Sequence, residues 1–431
     1  MSYGEALAVN LPPVYPHLVS ALDRHYGVSA ASPTEPKTSS RARRSRSTKE
    51  LRILLSTFWE YPHAGGLSSY LTALKAGLEK RGHRVDIIHP ERFDRDELRS
   101  VRRRARVEVE RFLQDRYGRV NKHIVSNLES MLAYEALVSE MDLGKYDIFH
   151  AQDRYTANAL GRLNQSYGKP MFFTPHGLMT HKRVRLNVIK QGSDEEAYFL
   201  QVDRRAVEVA DKIVMLSETF RPVLTSLGAG SGKLEKIYTG IEFKPGSKKP
   251  KDDRLVISCV SRLTPRKGHT ILLEALRLIR DDLKHVRVNI VGDGEMRDEL
   301  ERLASKLGLR RVSFLGHRDD VARILSSSDI YVLPTTSDTL PISVIEAMFA
   351  GKAIVSTRCG GIPELIQHQK TGLLAEPGNV KELADCLLQL VRDRRLVKQL
   401  GRSAQDFART HLTVEKMAGE IERVYRSVHT A

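Results

Sequence analysis

The sequence predicts an α/β protein built from two parallel sheets in series, each covered by helices on both faces. Three observations carry this: two successive sets of short unbroken apolar runs, helix-length segments between the runs, and a Pro-, Gly- and Lys-rich stretch between the sets. A strand buried on both faces has no solvated side to alternate with, and parallel strands need a crossover that a helix usually supplies. The first set is RILLST (Arg52–Thr57), VDIIH (Val85–His89), DIFHA (Asp147–Ala151), MFFTP (Met171–Pro175) and KIVML (Lys212–Leu216). The second is LVISCV (Leu255–Val260), VRVNIVG (Val286–Gly292), VSFLG (Val312–Gly316), IYVLP (Ile330–Pro334) and AIVST (Ala353–Thr357). EFKPGSKKPKDD (Glu242–Asp253) marks the joint.

At 431 residues the chain exceeds one domain of roughly 150. Its apolar share of 41% is enough for real cores, and 69 Lys and Arg against 53 acids should draw anions such as nucleotides, phosphates or acidic lipids. Three cysteines, Cys259, Cys359 and Cys386, have no CxxC pairing, which argues against a disulfide framework or a thiolate zinc site. No apolar run reaches the ~18 residues of a membrane span, and the N-terminus lacks a secretory pattern, so a cytoplasmic protein is expected. Residues 30–49, AASPTEPKTSSRARRSRSTK, hold too little apolar surface to order themselves and read as a basic tether. Before them, Leu18, Leu22 and Tyr26 at helical spacing predict one short helix.

In open parallel sheets, ligands bind at the carboxyl ends of the strands, so the residues after each run are the ones to inspect. After the first run, Gly65 and Gly66 precede a helix with Leu67, Leu71, Leu74 and Leu78 on one side. They are either a simple turn or a place where a ligand meets backbone N–H groups. After the fourth run His176 stands in TPHG, either a structural loop histidine or a hydrogen-bond partner for a ligand. VSRLTPRKGHT (Val260–Thr270) carries Arg262 and Lys267, with Arg266 beside them, into the start of a helix. A planar fork and a compact ammonium suit a diphosphate, while a solvated basic loop is the plain alternative. In SDTLPISVIEAMFAG, Asp338 precedes a helix opening around Pro341 and Glu346 lies in that helix. Such carboxylates accept from sugar hydroxyls or, more plainly, cap a helix, and the N–H groups of Leu340 to Ser343 suit an anion.

Taken together these segments resemble the GT-B glycosyltransferases of family 4, retaining enzymes that use nucleotide sugars. The likeness covers roughly residues 50–430: SRLTPRKG is similar to the family's Arg-x4-Lys diphosphate motif, and the stretch from Ser337 to Leu374 to its donor signature. AGGLSSYL, YDIFHAQD, TPHG and IVMLSE have counterparts in order. The resemblance implies an extension and linker over 1–49, a Rossmann-like acceptor-side domain over 50–243, and a Rossmann-like donor domain over 244–411 facing it across a cleft. Residues 412–431, with a last helix at Val414–His429, would cross back onto the first domain. It further implies that Arg262 and Lys267 hold the donor diphosphate, Glu346 the ribose hydroxyls and Asp338 the sugar hydroxyls. Leu340, Pro341 and Ile342 would add donor contacts, Gly65 and Gly66 would lie under phosphate or sugar, and His176 would hold the sugar near the reacting carbon. Gly292 and Leu315, in VGDGEM and FLGH, would line the nucleoside pocket. Two departures stand out: Asp338 where the family usually has Glu, and YTGIEF where it usually has Pro-Asn-Gly.

The implied activity is transfer of a hexosyl group to a hydroxyl acceptor with retention, from a UDP-sugar first and a GDP-sugar next. No metal and no cofactor are expected, because cations balance the leaving group and the donor is a substrate. An epimerase on the same donors, or a silent nucleotide-sugar-binding protein, are the competing readings. Nucleic acid is not an expected partner. Residues 91–122 hold eleven basic and seven acidic side chains, with Leu98, Val101, Ala105, Val109 and Phe112 at helical spacing. They read either as a solvated helix packed by its apolar stripe or as a peripheral contact with an anionic membrane.

Overall fold

The computed structural model describes residues 15–29, 50–63, 65–177, 179–246 and 254–429. The apolar runs form two six-stranded sheets in which all neighbouring strands pair in parallel. The first holds β1 (Arg52–Ser56), β2 (Arg84–Ile88), β3 (Ile148–Ala151), β4 (Met171–Phe173), β5 (Lys212–Met215) and β6 (Leu234–Lys236) in the order β2-β1-β3-β4-β5-β6. The second holds β7 (Leu255–Val260), β8 (Val286–Val291), β9 (Val312–Phe314), β10 (Ile330–Leu333), β11 (Ala353–Thr357) and β12 (Leu373–Ala375) in the order β12-β11-β10-β7-β8-β9. Every residue of β7, β10 and β11 is buried, which is why these strands read as unbroken apolar runs. Strand order reverses between β1 and β3 in one sheet and between β7 and β10 in the other, so crevices open beyond those carboxyl ends.

The chain divides into two units. One runs to Met215 and takes in Phe220–Ile237 and the residues from Gly419; the other comprises Leu216–Thr219 and Tyr238–Ala418. The division thus falls at Tyr238 and Gly419 where the sequence suggests 243 and 412. The strands β6 and β12, three residues each, are additions to the expected set. Most of the others stop one or two residues before the apolar run ends, because the last apolar residues turn into the site loops. The tether at 30–49 and most of the joint at 242–253 lie outside the described residues.

In the first unit, α1 (Pro16–Tyr26) begins at a proline and ends at Gly27 in the left-handed region, φ 67°. Leu18, Val19 and Leu22 pack against Val109 and Leu113 of α2 (Arg95–Tyr117) and Ile124, Val125 and Leu128 of α3 (Lys122–Ser139). The charged run at 91–122 is therefore broken at Gly118, and the inward part of its apolar stripe is covered within the fold. Asp23, buried on α1, accepts from Arg116 Nε and Nη2, both at 2.7 Å, and from Tyr117 Oη at 2.9 Å. From the C-terminal helix α4 (Val414–His429), Tyr425 fills the core beside Phe172, with ring centroids 4.7 Å apart. Among the described residues no helix is long and apolar enough to cross a membrane.

Asp23→Ala strips a nearly buried guanidinium and a phenol of their shared acceptor. Such a loss costs about 3 kcal/mol, and urea unfolding followed through the chain's single tryptophan, Trp59 of this unit, should show it. A midpoint unchanged from the parent would show that α1 is not clamped as described.

Candidate active site

In the second unit the loop after β7 descends through a 3-10 turn, Pro265–Lys267, into α5 (His269–Leu278). Gly268 joins them at φ 74°, and a Cβ there would stand 2.0 Å from Pro334 O, so this loop can lie on the end of β10 only with glycine. The contact is locked by Arg266 O, which accepts from Thr336 N at 2.8 Å and from Thr335 Oγ1 at 2.9 Å. The loop following β10 brings Asp338 to these cations, 71 residues on in sequence. Lys267 Nζ donates to Asp338 Oδ2 at 2.6 Å, and Arg266 Nη1 donates to Asp338 Oδ1 and to Ser337 O, each at 3.0 Å. Lys267 is only 8% exposed, whereas Arg262 is exposed and has no ionic partner among the described residues.

The expected cations thus divide: one is buried and paired, the other faces outward. Arg266, outside the expected set though inside the same motif, completes the pair of donors on Asp338. An isolated buried ammonium costs several kcal/mol, and Asp338 stands beside Lys267 as its counter-ion.

Leu340 and Pro341 are buried and lead into α6 (Ile342–Phe349), with Ile342 part-buried at its first position. No side chain caps this helix, which leaves its first N–H groups for a ligand. Glu346 lies on α6 beside Tyr331, whose hydroxyl donates to Val260 O at 3.2 Å and pairs with Ser343 Oγ at 2.7 Å. Burial pushes the Glu346 carboxyl up to about 7, and no partner for it appears among the described residues. Gly292, at φ 130°, donates its N–H to Gly316 O at 2.8 Å; a Cβ would meet Ser261 O at 2.0 Å. Leu315, just before Gly316, is 39% exposed. The ends of β7, β8, β9 and β10 therefore bring Arg262, Lys267, Gly292, Leu315 and Asp338 to the same edge of the sheet.

In the first unit, Gly65 and Gly66 are exposed, and Gly66 opens a helix, Gly66–Lys80, without a side-chain cap. Tyr70 of that helix meets the ring of His176 edge-on at 4.6 Å. His176 Nε2 donates to Gln152 Oε1 at 3.0 Å, since an amide oxygen can only accept. Desolvation holds His176 down to about 3, so near pH 7 it is neutral, with Nδ1 bearing the lone pair. Gln152, buried at the end of β3, is a residue that sequence inspection passes over. Among the described residues no group of three or more His, Cys, Asp or Glu is placed to hold a metal.

Paired cations, an uncapped helix start and a buried carboxyl without a partner among the described residues, all at the switch point of a parallel sheet, suit a ligand that carries both an anion and hydroxyls. Comparison with known proteins gives the class. The model of the Glycosyl transferases group 1 family matches residues 241–407, and that of Glycosyltransferase Family 4 matches residues 64–244. The chain belongs to the GT-B glycosyltransferases of family 4 type. It is 25% identical to an uncharacterized glycosyltransferase of Methanocaldococcus jannaschii over 396 residues, 87% of this chain and 98% of that one. Its fold is similar to that of Anabaena HepE, solved with UDP-glucose, at a TM-score of 0.64 and 20% identity over 88% of this chain and 100% of that one. It is also similar to a sucrose-phosphate synthase of Thermosynechococcus elongatus, at 0.67 and 19% over 88% and 99%.

Glu346 makes the site sensitive to pH. Between its ordinary 4.5 and about 7 the unfolded chain ionises this carboxyl while the folded chain keeps it protonated. The unfolded state then binds fewer protons, so stability falls as pH rises through that window, by up to about 3 kcal/mol, and levels off above it. Glu346→Gln should match the parent near pH 4 and melt higher than it at pH 8. Identical melting curves at pH 8 would remove the burial argument.

Proposed function

We propose that the chain transfers a hexosyl group from a UDP-sugar to a hydroxyl acceptor with retention of anomeric configuration. The observation that carries this reading is the buried Lys267, held ready by Asp338 beside the uncapped start of α6 and the outward-facing Arg262. The UDP-glucose bound by Anabaena HepE supports the choice of donor.

In this reading the diphosphate takes over Lys267 from Asp338 and engages Arg262 and the α6 N–H groups. Glu346 accepts from the ribose hydroxyls, and Gly292 and Leu315 flank the base. Asp338, released, turns to the sugar hydroxyls. The acceptor oxygen then bonds to the anomeric carbon on the face from which the diphosphate leaves. The bond from that carbon to the diphosphate oxygen breaks, and the acceptor proton passes to a departing phosphate oxygen. Charge grows on the leaving group and is met by fixed cations and N–H dipoles, so a metal has no assigned step. His176, neutral and already donating from Nε2, is assigned to orienting the sugar and not to proton delivery.

Nucleotide release from UDP-glucose and GDP-mannose, with product anomer read by NMR, tests the reading. Release of UDP, an α-linked product from the α-linked donor, and rates unchanged by EDTA are expected. Inversion or an EDTA-dependent rate overturns the corresponding part. Lys267→Ala and Arg262→Ala should each lower kcat/KM about tenfold to a hundredfold, the scale of a lost charge-assisted hydrogen bond. Parent-like kinetics in both would displace the diphosphate from this loop.

A further inference from the structure

The first unit contains a cavity that the donor reading does not use. Beyond the carboxyl ends of β1 and β2 lies a pocket of ≈ 680 Å³, inside the roughly 300–1,000 Å³ range of small-molecule clefts. One wall is the face of α2 that carries Arg95, Arg99 and Arg102, spaced i, i+4 and i+7 so that their side chains line up. The lining also includes Trp59, the only tryptophan in the chain, 52% exposed. An aromatic ring this open is costly to leave in water unless something covers it.

The three guanidiniums are not equivalent. Arg102 Nη2 donates to Glu129 Oε1 at 3.0 Å, and Glu129 is 5% exposed, so Arg102 is tied to the fold. Arg99 reaches only the exposed Asp96, at 3.3 Å, and Arg95 has no ionic partner among the described residues. Two forks therefore remain for a ligand, each fit for a phosphate or carboxylate. Glu60 and Glu91, also lining the pocket, add carboxylate acceptors suited to hydroxyls. Trp59 is held edge-on by Phe58 at 6.3 Å and by Tyr155 at 6.4 Å, which fixes the platform.

We propose that this pocket is the acceptor subsite, and that it takes a sugar or polyol bearing an anionic group, its ring against Trp59 and its anion on Arg95 and Arg99. The assignment as acceptor rests on the glycosyltransferase reading; the binding chemistry rests on the pocket alone. A soluble sugar acid or phosphate, or a lipid headgroup that is a polyol phosphate, would bring the same chemistry.

Because Trp59 is the only tryptophan, its fluorescence reports occupancy of this pocket directly. The full chain should be titrated with glucose, glucose 6-phosphate, glucuronate and inorganic phosphate, and with vesicles of phosphatidylglycerol or phosphatidylcholine. We expect a saturable Trp59 response to an anionic sugar, or to phosphatidylglycerol and not phosphatidylcholine, at least about tenfold tighter than to glucose. The first result assigns the soluble source and the second the lipid source. In the Arg95→Gln, Arg99→Gln double variant, whose changes lie on the exposed face, that preference should disappear while the melting shift given by UDP stays as in the parent. Equal responses to charged and neutral sugars, an inorganic phosphate response as strong as that to glucose 6-phosphate, or a preference surviving in the double variant each overturn the proposal. Absence of a UDP shift in the parent would instead defeat the donor reading and leave the Trp59 result standing.

Discussion

The candidate site of the second unit depends on one carboxylate. Asp338 holds a buried lysine and a neighbouring arginine at once, and in doing so it joins the loop after β7 to the loop after β10 across the point where strand order reverses. A lone charge in a dry site is expensive, and Asp338 supplies the opposite charge beside Lys267. Backbone contact supports the pair: Gly268 lets the two loops touch, and Arg266 O collects donors from Thr335 and Thr336. The cations are thus held in place before any ligand arrives, and an anion that engaged Lys267 would have to displace Asp338 from it.

This arrangement bears on the shorter acid at position 338. A glutamate, one methylene longer, reaches further into a cleft. Aspartate, with one oxygen on Lys267 and the other on Arg266, is sized to sit between the two cations. Its primary task in the ligand-free protein is electrostatic. Glu346 is its complement, since it has no partner among the described residues, its burial makes its charge costly, and a ligand donating hydroxyl protons would relieve that cost. One acid is satisfied and the other waits.

Much of the sheet architecture was legible because burial on both faces leaves a continuous apolar signature, as in LVISCV, where all six residues are buried. Leu234–Lys236 was not, because Glu235 and Lys236 leave it no apolar run, and Leu373–Ala375 was not, because Glu376 cuts its apolar run short. The identities of the site residues were readable from loop position and side-chain chemistry, but their partners were not. Nothing local to VSRLTPRKG says that Lys267 meets Asp338 rather than solvent, for that follows from β7 lying beside β10. Gln152 is a polar residue after a strand like many others until His176 is placed against it. The arginine-rich segment was ambiguous for a different reason. An apolar stripe looks the same whether a membrane or a neighbouring helix covers it, and the docking of α1 and α3 accounts for its Val109 and Leu113.

That docking has a consequence for the pocket. The helix α2 is held near its C-terminal end by Asp23 of α1, through Arg116 and Tyr117, and along its length by Glu129 of α3, through Arg102. The intervening residues Val109 and Leu113 are buried between the same two helices. A helix fixed at these points presents Arg95 and Arg99 from a rigid rail, so their long side chains are the main freedom a ligand has to remove. Binding free energy is eroded chiefly by ordering what was loose, and here the backbone ordering is supplied by folding. The helix α1 lies before residue 64, where the Glycosyltransferase Family 4 match begins. Its bidentate clamp on α2 is a physical route by which this N-terminal helix sets how sharply Arg95 and Arg99 are positioned.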